Sequence, residues 1–257
     1  GVPSERRSWV HLKRVQLLQA DETLSEERRD LEIAHHLIAA GDESRPQDLV
    51  EYATRAGQHA LGRFAWSDAA RFFEAAIGTL AKEGPGARLA LLHYQCGIAC
   101  FRLLDGSPCL RHFARAAALF GELGDETMRA QVCIERARAV NWMGMLGSPD
   151  FEHSRLDLEE CLARTSASHR LLRAEILAVL GEQSWASGDH ARAEALCQDA
   201  LEATRPDADH LLRAEISVIL GLTQLSRLNQ RGALATWRFG ALHGRRANDL
   251  SATARCL

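Results

Sequence analysis

Residues 171–176 read LLRAEI, and residues 211–216 read LLRAEI again, forty positions later. The same offset relates Gly181 to Gly221. An offset that returns in several places along a sequence is the signature of a chain built from repeated units. The fold therefore follows from the structure of one unit and from the number of its copies.

Each unit is predicted to consist of two amphipathic helices, here called helix A and helix B. Apolar residues return at intervals of three and four positions, and Gly, Pro, Asp and Ser mark the breaks between the helices. In one unit, residues 49–64 are expected to form helix A and residues 68–81 helix B, with Ser67 as the N-cap. Since no stretch gives a convincing strand, the chain is predicted to be all-α.

A recurring set of small and large residues accompanies the helices. A small residue in helix A is followed twelve positions later by a second small residue in helix B, and four positions after that by a larger one. Small residues let two helices approach closely, and the larger side chain fills the remaining gap. The sets are Gly57, Ala69, Phe73, Ala76; Gly97, Cys109, Phe113, Ala116; Gly181, Ala193, Cys197, Ala200; and Gly221, Ala233, Trp237, Gly240. This spacing matches the tetratricopeptide pattern.

The repeats divide the chain into predicted segments. Residues 1–44 are expected to form a divergent leading helix pair, and residues 45–257 the tetratricopeptide-like repeats. The predicted repeats cover about 45–84, 85–124, 125–167, 168–207 and 208–246, with the start of another at 247–257. In the irregular repeat 125–167 the packing positions are assigned to Ala137, Ser154, Leu158 and Cys161. About six helix pairs are predicted to stack into a right-handed α-solenoid.

The composition is that of a folded protein with no strong electrostatic preference. Apolar residues make up 46% of the chain and charged residues 25%, which argues against disorder. The net charge of -3 is interspersed, so direct nucleic-acid binding is not expected. No stretch approaches the ~20 apolar residues of a membrane-spanning helix. A cytoplasmic location is expected, and because the chain starts at Gly1 without Met, a segment of a longer protein is expected.

One stretch near the start resembles a known family. Residues 31–42 read LEIAHHLIAAGD, and Tyr52-Ala53, Ala56-Gly57 and residues 64–73 follow. This series resembles the start of the helical-repeat region in large bacterial regulators of the STAND type. These include LuxR-type activators similar to the maltose-regulon activator, and related proteins that carry a kinase or nucleotide cyclase domain. The resemblance implies sensing of an inducer or partner, in contact with flanking domains of the parent chain.

The sequence lacks the patterns that usually accompany catalysis. A phosphate-binding P-loop needs Gly-Lys followed by Ser or Thr, and neither Lys13 nor Lys82 has that setting. A Gly-x-Ser-x-Gly nucleophile motif does not occur either. The chain is therefore predicted to be non-catalytic, without a cofactor.

The seven cysteines are predicted to be reduced and to fill apolar positions, because three of them fall on packing positions of the repeat and none forms a Cys-x-x-Cys pair. His93, Cys96 and Cys100 would share one face of a helix, with His112 nearby. This is the one arrangement that resembles a set of metal ligands. A packing role is the preferred interpretation, and no metal is predicted.

A concave groove is expected along the helix A elements, around the small-residue positions. The residues predicted to bind there are Gln58, Tyr94, Phe101, Arg138, Asn141, Glu182, Trp185 and Leu222. Aromatic side chains provide contact area and polar groups fix orientation, so the groove suits a protein or peptide segment or a small-molecule inducer. The alternative is that the aromatic residues pack between neighbouring helices.

The predicted function is a non-catalytic module for protein interaction or inducer sensing within a larger bacterial signalling or transcription regulator. Two alternatives stay open. The chain could be an oligomerisation scaffold, in which end repeats stack on another copy. It could also be the regulatory segment of a multidomain kinase or nucleotide cyclase.

Overall fold

The computed structural model describes residues 4–257, and all regular secondary structure in this range is helical. The predicted all-α class is confirmed for these residues. The start of the predicted leading segment 1–44, and with it the expected truncation at Gly1, lies outside them. The chain forms two compact units, Gly1–Gly124 and Asp125–Leu257.

The first unit contains three helix pairs within its described residues. The helices of each pair contact each other, and successive pairs are joined by contacts of α2 with α3 and of α4 with α5. The elements are α1 Ser4–Gln19, α2 Glu26–Ala40, α3 Pro46–Gly62, α4 Trp66–Leu80, α5 Ala87–Arg102 and α6 Gly106–Glu122. Each pair is thus one helix A followed by one helix B.

The second unit continues the same alternation, with three helix pairs and a final short helix. Its elements are α7 Glu126–Trp142, α8 Pro149–Arg164, α9 Arg170–Ala186, α10 His190–Ala203, α11 His210–Ser226, α12 Gln230–Arg246 and α13 Leu250–Arg255. Of all the helices in residues 4–257, none combines the length and apolar character that crossing a membrane requires.

The helix boundaries differ from the predicted ones where the chain turns between α3 and α4. Ser67 lies inside α4 and is not its N-cap, because the helix already begins at Trp66. Phe64 adopts a φ of 61°, and the amide of Ala65 donates to the carbonyl of Ala60. This turn closes the end of α3 within a few residues and leads the chain directly into α4. The prediction of Ser67 as the cap is therefore wrong.

The packing positions of the repeat lie in the core as the sequence pattern predicts, except that Trp237 is half-buried. Phe113 is fully buried, and a Cβ added to Gly97 would lie 2.7 Å from its ring. A Cβ on Gly181 would lie 2.8 Å from the sulfur of Cys197. The positions assigned in the irregular repeat are also buried: Ala137, Ser154, Leu158 and Cys161. A longer connection between α7 and α8 separates them without changing their role.

The repeated stretch LLRAEI lies at the start of α9 and of α11, and its arginine joins each helix to the one before it. Arg173 donates to the carbonyls of Leu162 and Thr165, both at 2.9 Å, at the end of α8. Arg213 donates to the carbonyl of Leu201 at 3.1 Å, at the end of α10. A cationic donor is favourable at the carbonyl end of a helix. The carbonyl of Leu201 also accepts from the amide and the hydroxyl of Thr204. Successive repeats are therefore linked by an arginine as well as by apolar packing.

Candidate functional site

The candidate site lies on the layer of helix A elements in the second unit. α9 contacts α7 on one side and α11 on the other, and α11 also contacts α13. The first three of these helices carry five of the eight residues predicted to bind: Arg138, Asn141, Glu182, Trp185 and Leu222. Stacking of the helix A elements thus brings residues that are far apart in sequence onto neighbouring helices.

Arg138 is the central charge of this layer. Its guanidinium is half-buried and donates to a carboxylate oxygen of Glu135 at 2.7 Å. Burial is the largest single effect and would lower the pKa of Arg138, but the charge and hydrogen bond of Glu135 together with the charges of Glu215 and Glu175 outweigh it, and the pKa is raised. Arg138 therefore stays charged among several carboxylates.

Burial disfavours the charged form of two of these carboxylates, those of Glu175 and Glu182. Burial raises the pKa of Glu175, although the positive charge of Arg138 acts in the opposite direction. Burial also raises the pKa of Glu182, against the opposing effects of Asn141 and Arg138. Carboxylates that have lost part of their hydration interact more strongly with an incoming cation than fully solvated ones do.

The charged side chains that act on Arg138 and Glu182 across this layer are mostly acidic. Arg255 of α13 lies 3.7 Å from Glu215, which places a second arginine at its edge. We call this surface the acidic face, and it consists of Glu135, Arg138, Glu175, Glu182, Glu215 and Arg255. Four glutamates thus meet two arginines, and the face attracts positive charge.

A polar contact beneath the acidic face links α7, α8 and α9. Gln183, which is fully buried, donates to Ser154 at 2.9 Å and to Asn141 at 3.3 Å. Asn141 is half-buried, and its side chain also lowers the pKa of Glu182 through a hydrogen bond. Its Nδ2 atom is shielded from solvent, so this contact ties three helices together beneath the acidic face.

Trp185 and Leu222 extend the predicted groove toward the carboxyl ends of α9 and α11. Both are half-buried, and the indole nitrogen of Trp185 lies 3.4 Å from the hydroxyl of Ser226. Trp185 therefore packs across two neighbouring helix A elements, which is the arrangement of the alternative interpretation. Its ring still keeps part of its surface in solvent.

The other three predicted residues lie in the first unit. Gln58 of α3 is exposed, and the ring of Tyr94 on α5 lies 6.2 Å from the ring of Phe113. The guanidinium of Arg102 lies 5.8 Å from the ring of Phe101. Tyr94 and Phe101 thus contribute to local packing of α5, and the prediction that these three bind a ligand stays a prediction.

A cleft of about 490 Å³ opens in the second unit beside the acidic face. Glu175 belongs to both. The other residues that line it are Thr127, Gln131, Ser168, His169, Arg170, Leu171, Leu172, Ala203, Arg205 and Asp209. The turns that precede α9 and α11 supply four of these residues, and α7, α9 and α10 supply the rest. The sequence prediction considered only residues around the small-residue positions of helix A, and it therefore missed the cleft.

The sequence prediction also missed four members of the acidic face. Glu175 and Glu215 are the glutamates of the two LLRAEI stretches, and Arg255 follows Glu215 after the same interval of forty residues. Equivalent positions in stacked repeats lie next to each other on neighbouring helices. The repeat that revealed the fold therefore also carried the signal for this face.

A separate cluster of possible metal ligands lies between α5 and α6 in the first unit. The sulfurs of Cys96 and Cys100 and a ring nitrogen of His112 all lie within 4.8 Å of one another. His93 is the neighbour of His112, with their Nδ1 atoms 3.0 Å apart. Burial, together with the charges of His112 and Arg115, lowers the pKa of His93 to about 4. The structure thus unites the four residues that the sequence placed on or near one helix face.

Comparison with solved structures identifies the same architecture elsewhere. The apo form of the quorum sensor NprR from B. thuringiensis aligns with a TM-score of 0.65 at 14% identity, over 100% of this chain and 70% of that chain. BtubC (BKLC) from P. vanneervenii gives 0.62 at 14% identity, over 96% and 93%. The Rap conjugation gene regulator of the plasmid pLS20, solved with the Phr* peptide, gives 0.61 at 14% identity, over 100% and 79%.

These similarities confirm the predicted tetratricopeptide-like α-solenoid fold class. Neither a protein-family model nor a curated protein sequence matches the chain. At 14% identity the likeness concerns the fold, so any function must be argued from the residues of this chain.

Proposed function

We propose that the second unit is a non-catalytic binding module for an extended, basic protein segment, and that this binding regulates a longer parent chain. The observation that carries the proposal is the acidic face, where four glutamates meet two arginines beside a cleft of about 490 Å³. A half-buried surface with excess negative charge has an unmet preference for cations.

The geometry favours an extended chain over a small compact ligand. The face spans the neighbouring helices α7, α9, α11 and α13, whose axes pack about 8–10 Å apart. An extended segment can place successive basic side chains against carboxylates on successive helices. A small inducer would use only one part of this surface.

Two solved structures of the same fold support a peptide ligand. NprR has been solved in complex with its cognate peptide NprX, with a TM-score of 0.55 to this chain, and the pLS20 Rap regulator with the Phr* peptide. A tetratricopeptide-like solenoid can therefore bind a peptide and act as a regulator. The basic character of the ligand proposed here comes from the charges of this chain alone.

The sequence of residues 31–42 supports a finer proposal about the parent protein. Because this stretch resembles the repeat region of STAND-type regulators, we place the chain within a larger bacterial signalling or transcription regulator. In such a protein, occupation of the acidic face would change the contacts of flanking domains. The kind of output domain has to be read from the rest of the parent protein's sequence.

Titration of the chain with fluorescently labelled peptides tests the proposal. A peptide with interspersed Arg and Lys is compared with a neutral and an acidic peptide of the same length, by fluorescence anisotropy at low and high salt. We expect the basic peptide to bind best, and salt to weaken its binding. The variant Glu175→Gln/Glu215→Gln should weaken binding at least tenfold, because it removes two carboxylates of the acidic face.

A charge-matched control separates the acidic face from general attraction. Asp199 and Glu202 are exposed residues of α10, and Asp199→Asn/Glu202→Gln removes the same number of charges elsewhere in the unit. Equal weakening in both double variants would contradict the proposal. If no peptide binds while the mass measured by light scattering rises with concentration, the chain is an oligomerisation scaffold instead.

A further inference from the structure

We propose that the first unit contains a zinc site formed by Cys96 and Cys100 of α5 and His112 of α6. The three side chains converge from two helices of one pair, and their ligand atoms lie within 4.8 Å of one another. Cys96 is fully buried and Cys100 is 3% exposed, so both sulfurs are held in place by the core. Nothing in the proposed peptide binding uses these residues.

The spacing of the ligand atoms matches tetrahedral zinc. The sulfur of Cys96 lies 3.5 Å from Nε2 of His112. With Zn–S near 2.3 Å and Zn–N near 2.0–2.1 Å, a tetrahedral angle sets the S and N ligand atoms about 3.5 Å apart. Cys96 and Cys100 are four residues apart on α5 and therefore lie on the same side of the helix. All ligand atoms lie within 4.8 Å of one another, and two thiolates on tetrahedral zinc lie about 3.8 Å apart, so closure around the ion requires a movement of about 1 Å at most.

His93 is placed to orient His112 as a ligand. The two Nδ1 atoms lie 3.0 Å apart, so one ring donates to the other. If Nδ1 of His112 carries the proton and donates it to His93, Nε2 of His112 keeps a lone pair that points toward the Cys96 sulfur. Histidines that bind metals are typically fixed in this way by a second hydrogen bond. His93 is thus a positioning residue.

The charge balance of the site suits its burial. Binding converts two thiols to thiolates and releases two protons to solvent, and the two negative charges neutralise those of Zn²⁺. The resulting centre is neutral, so it avoids the cost of an uncompensated buried ion. Three protein ligands leave the fourth position to water.

A role of the two cysteines in core packing explains less of this arrangement than a metal site does. The sulfur of Cys96 has one weak backbone contact, with the carbonyl of Ala70 at 3.8 Å. In the second unit, Cys197 is a fully buried cysteine that packs against Gly181, and the side chains of Cys133 and Cys161 contact each other. What distinguishes the cluster of the first unit is the imidazole of His112 beside two sulfurs.

Metal binding to the untagged full chain tests the site. Protein freed of metal by a chelator and kept reduced is titrated with Zn²⁺ against a chromophoric chelator, and with Co²⁺ as a spectroscopic probe. We expect one equivalent of metal, with thiolate-to-cobalt charge-transfer absorption. Cys100→Ala and His112→Gln should each weaken zinc binding more than 100-fold, and His93→Gln by about 10–100-fold.

The control variant is Cys197→Ala, which removes one buried thiol from the second unit and should leave zinc binding unchanged. Circular dichroism checks that each variant is folded. If the ligand variants unfold, alkylation of the wild type replaces them, and Zn²⁺ should protect Cys96 and Cys100 specifically. Loss of binding in Cys197→Ala, absence of protection, or equal zinc binding by wild type and Cys100→Ala would each overturn the proposal.

Discussion

Gly57 lies directly against the ring of Phe73: a Cβ built on Gly57 would come within 2.5 Å of the ring carbon Cε1. Phe73 is fully buried in the core of the first unit, so its ring has no free space into which it could turn. The close approach of α3 and α4 therefore depends on the lack of a side chain at Gly57.

Gly57→Ala is expected to lower the free energy of unfolding by about 1–3 kcal/mol, because the added methyl overpacks the core. Alanine is otherwise the better helix former by about 1 kcal/mol. Gly78→Ala is the matched control, since nothing lies within 4 Å of a Cβ at that exposed position of α4. Urea denaturation should show opposite signs for the two variants, and the same sign would contradict the packing argument.

Arg213→Met is expected to cost about 1–3 kcal/mol, since it removes a buried charged donor from the carbonyl of Leu201, to which only the amide and hydroxyl of Thr204 then donate. Arg213 is 9% exposed and also donates to the hydroxyl of Thr204 at 2.5 Å. Methionine keeps the apolar contact with Phe239, whose ring lies 5.1 Å from the guanidinium. Arg231→Met, at an exposed position of α12, should change thermal stability little. Similar losses in both variants would show that charge alone matters.

His93 should make the stability of the folded chain depend on pH. Its pKa in the folded chain is about 4, below the value of 6.5 for an ordinary histidine. The folded state therefore binds fewer protons than the unfolded state between these values. The stabilising effect is fully present above pH 6.5 and is lost as the pH falls toward 4.

His93→Gln should flatten this part of the stability curve, because glutamine does not titrate. Urea denaturation of metal-free protein, between about pH 7 and about pH 4, measures the slope. His153→Gln, at an exposed position of α8, serves as the control. A slope that His93→Gln leaves unchanged would show that other groups cause the acid sensitivity.

Glu182 should make stability depend on pH in the opposite direction to His93. Burial raises its pKa, so the folded state binds more protons than the unfolded state in the interval between the two pKa values. The cost of the charge is present above the folded pKa and disappears as the pH falls below the unfolded one. Glu182→Gln should therefore raise the melting temperature at pH 7, and the gain should vanish in acid. A lower melting temperature at pH 7 would mean that the interaction with Arg138 outweighs burial.

The helix pairs could be predicted from the sequence because a packing rule acts on residues that are close in the chain. Gly97 and Phe113 are sixteen positions apart, and their spacing alone indicates that two helices touch there. The prediction of Ser67 as the N-cap was wrong because it considered the preference of a single residue and not the turn before it. Serine is a good cap, but the turn through Phe64 had already started the helix.

The binding surface was harder to predict because its members interact across stacked repeats. Glu135 and Glu215 both act on Arg138, yet they come from α7 and α11, with α9 between them. The pattern of one helix pair does not contain this information. The cleft combines residues of three helices with four from turns, whose conformation depends on how helices end. The Cys96–His112 distance depends on how closely α5 and α6 approach.

The arginines of the two LLRAEI stretches bear on how such a chain changes in length. Arg173 and Arg213 each complete the helix of the preceding repeat, and Arg213 does so for the repeat to which Arg173 itself belongs. A duplicated block of forty residues would contain both the arginine donor and a carbonyl acceptor of this contact. Gene duplication could therefore insert a whole block without leaving a backbone group unsatisfied, whereas a partial copy would separate donor from acceptor. Relatives of this chain are expected to differ in length by complete repeats, and comparison of their sequences would check this.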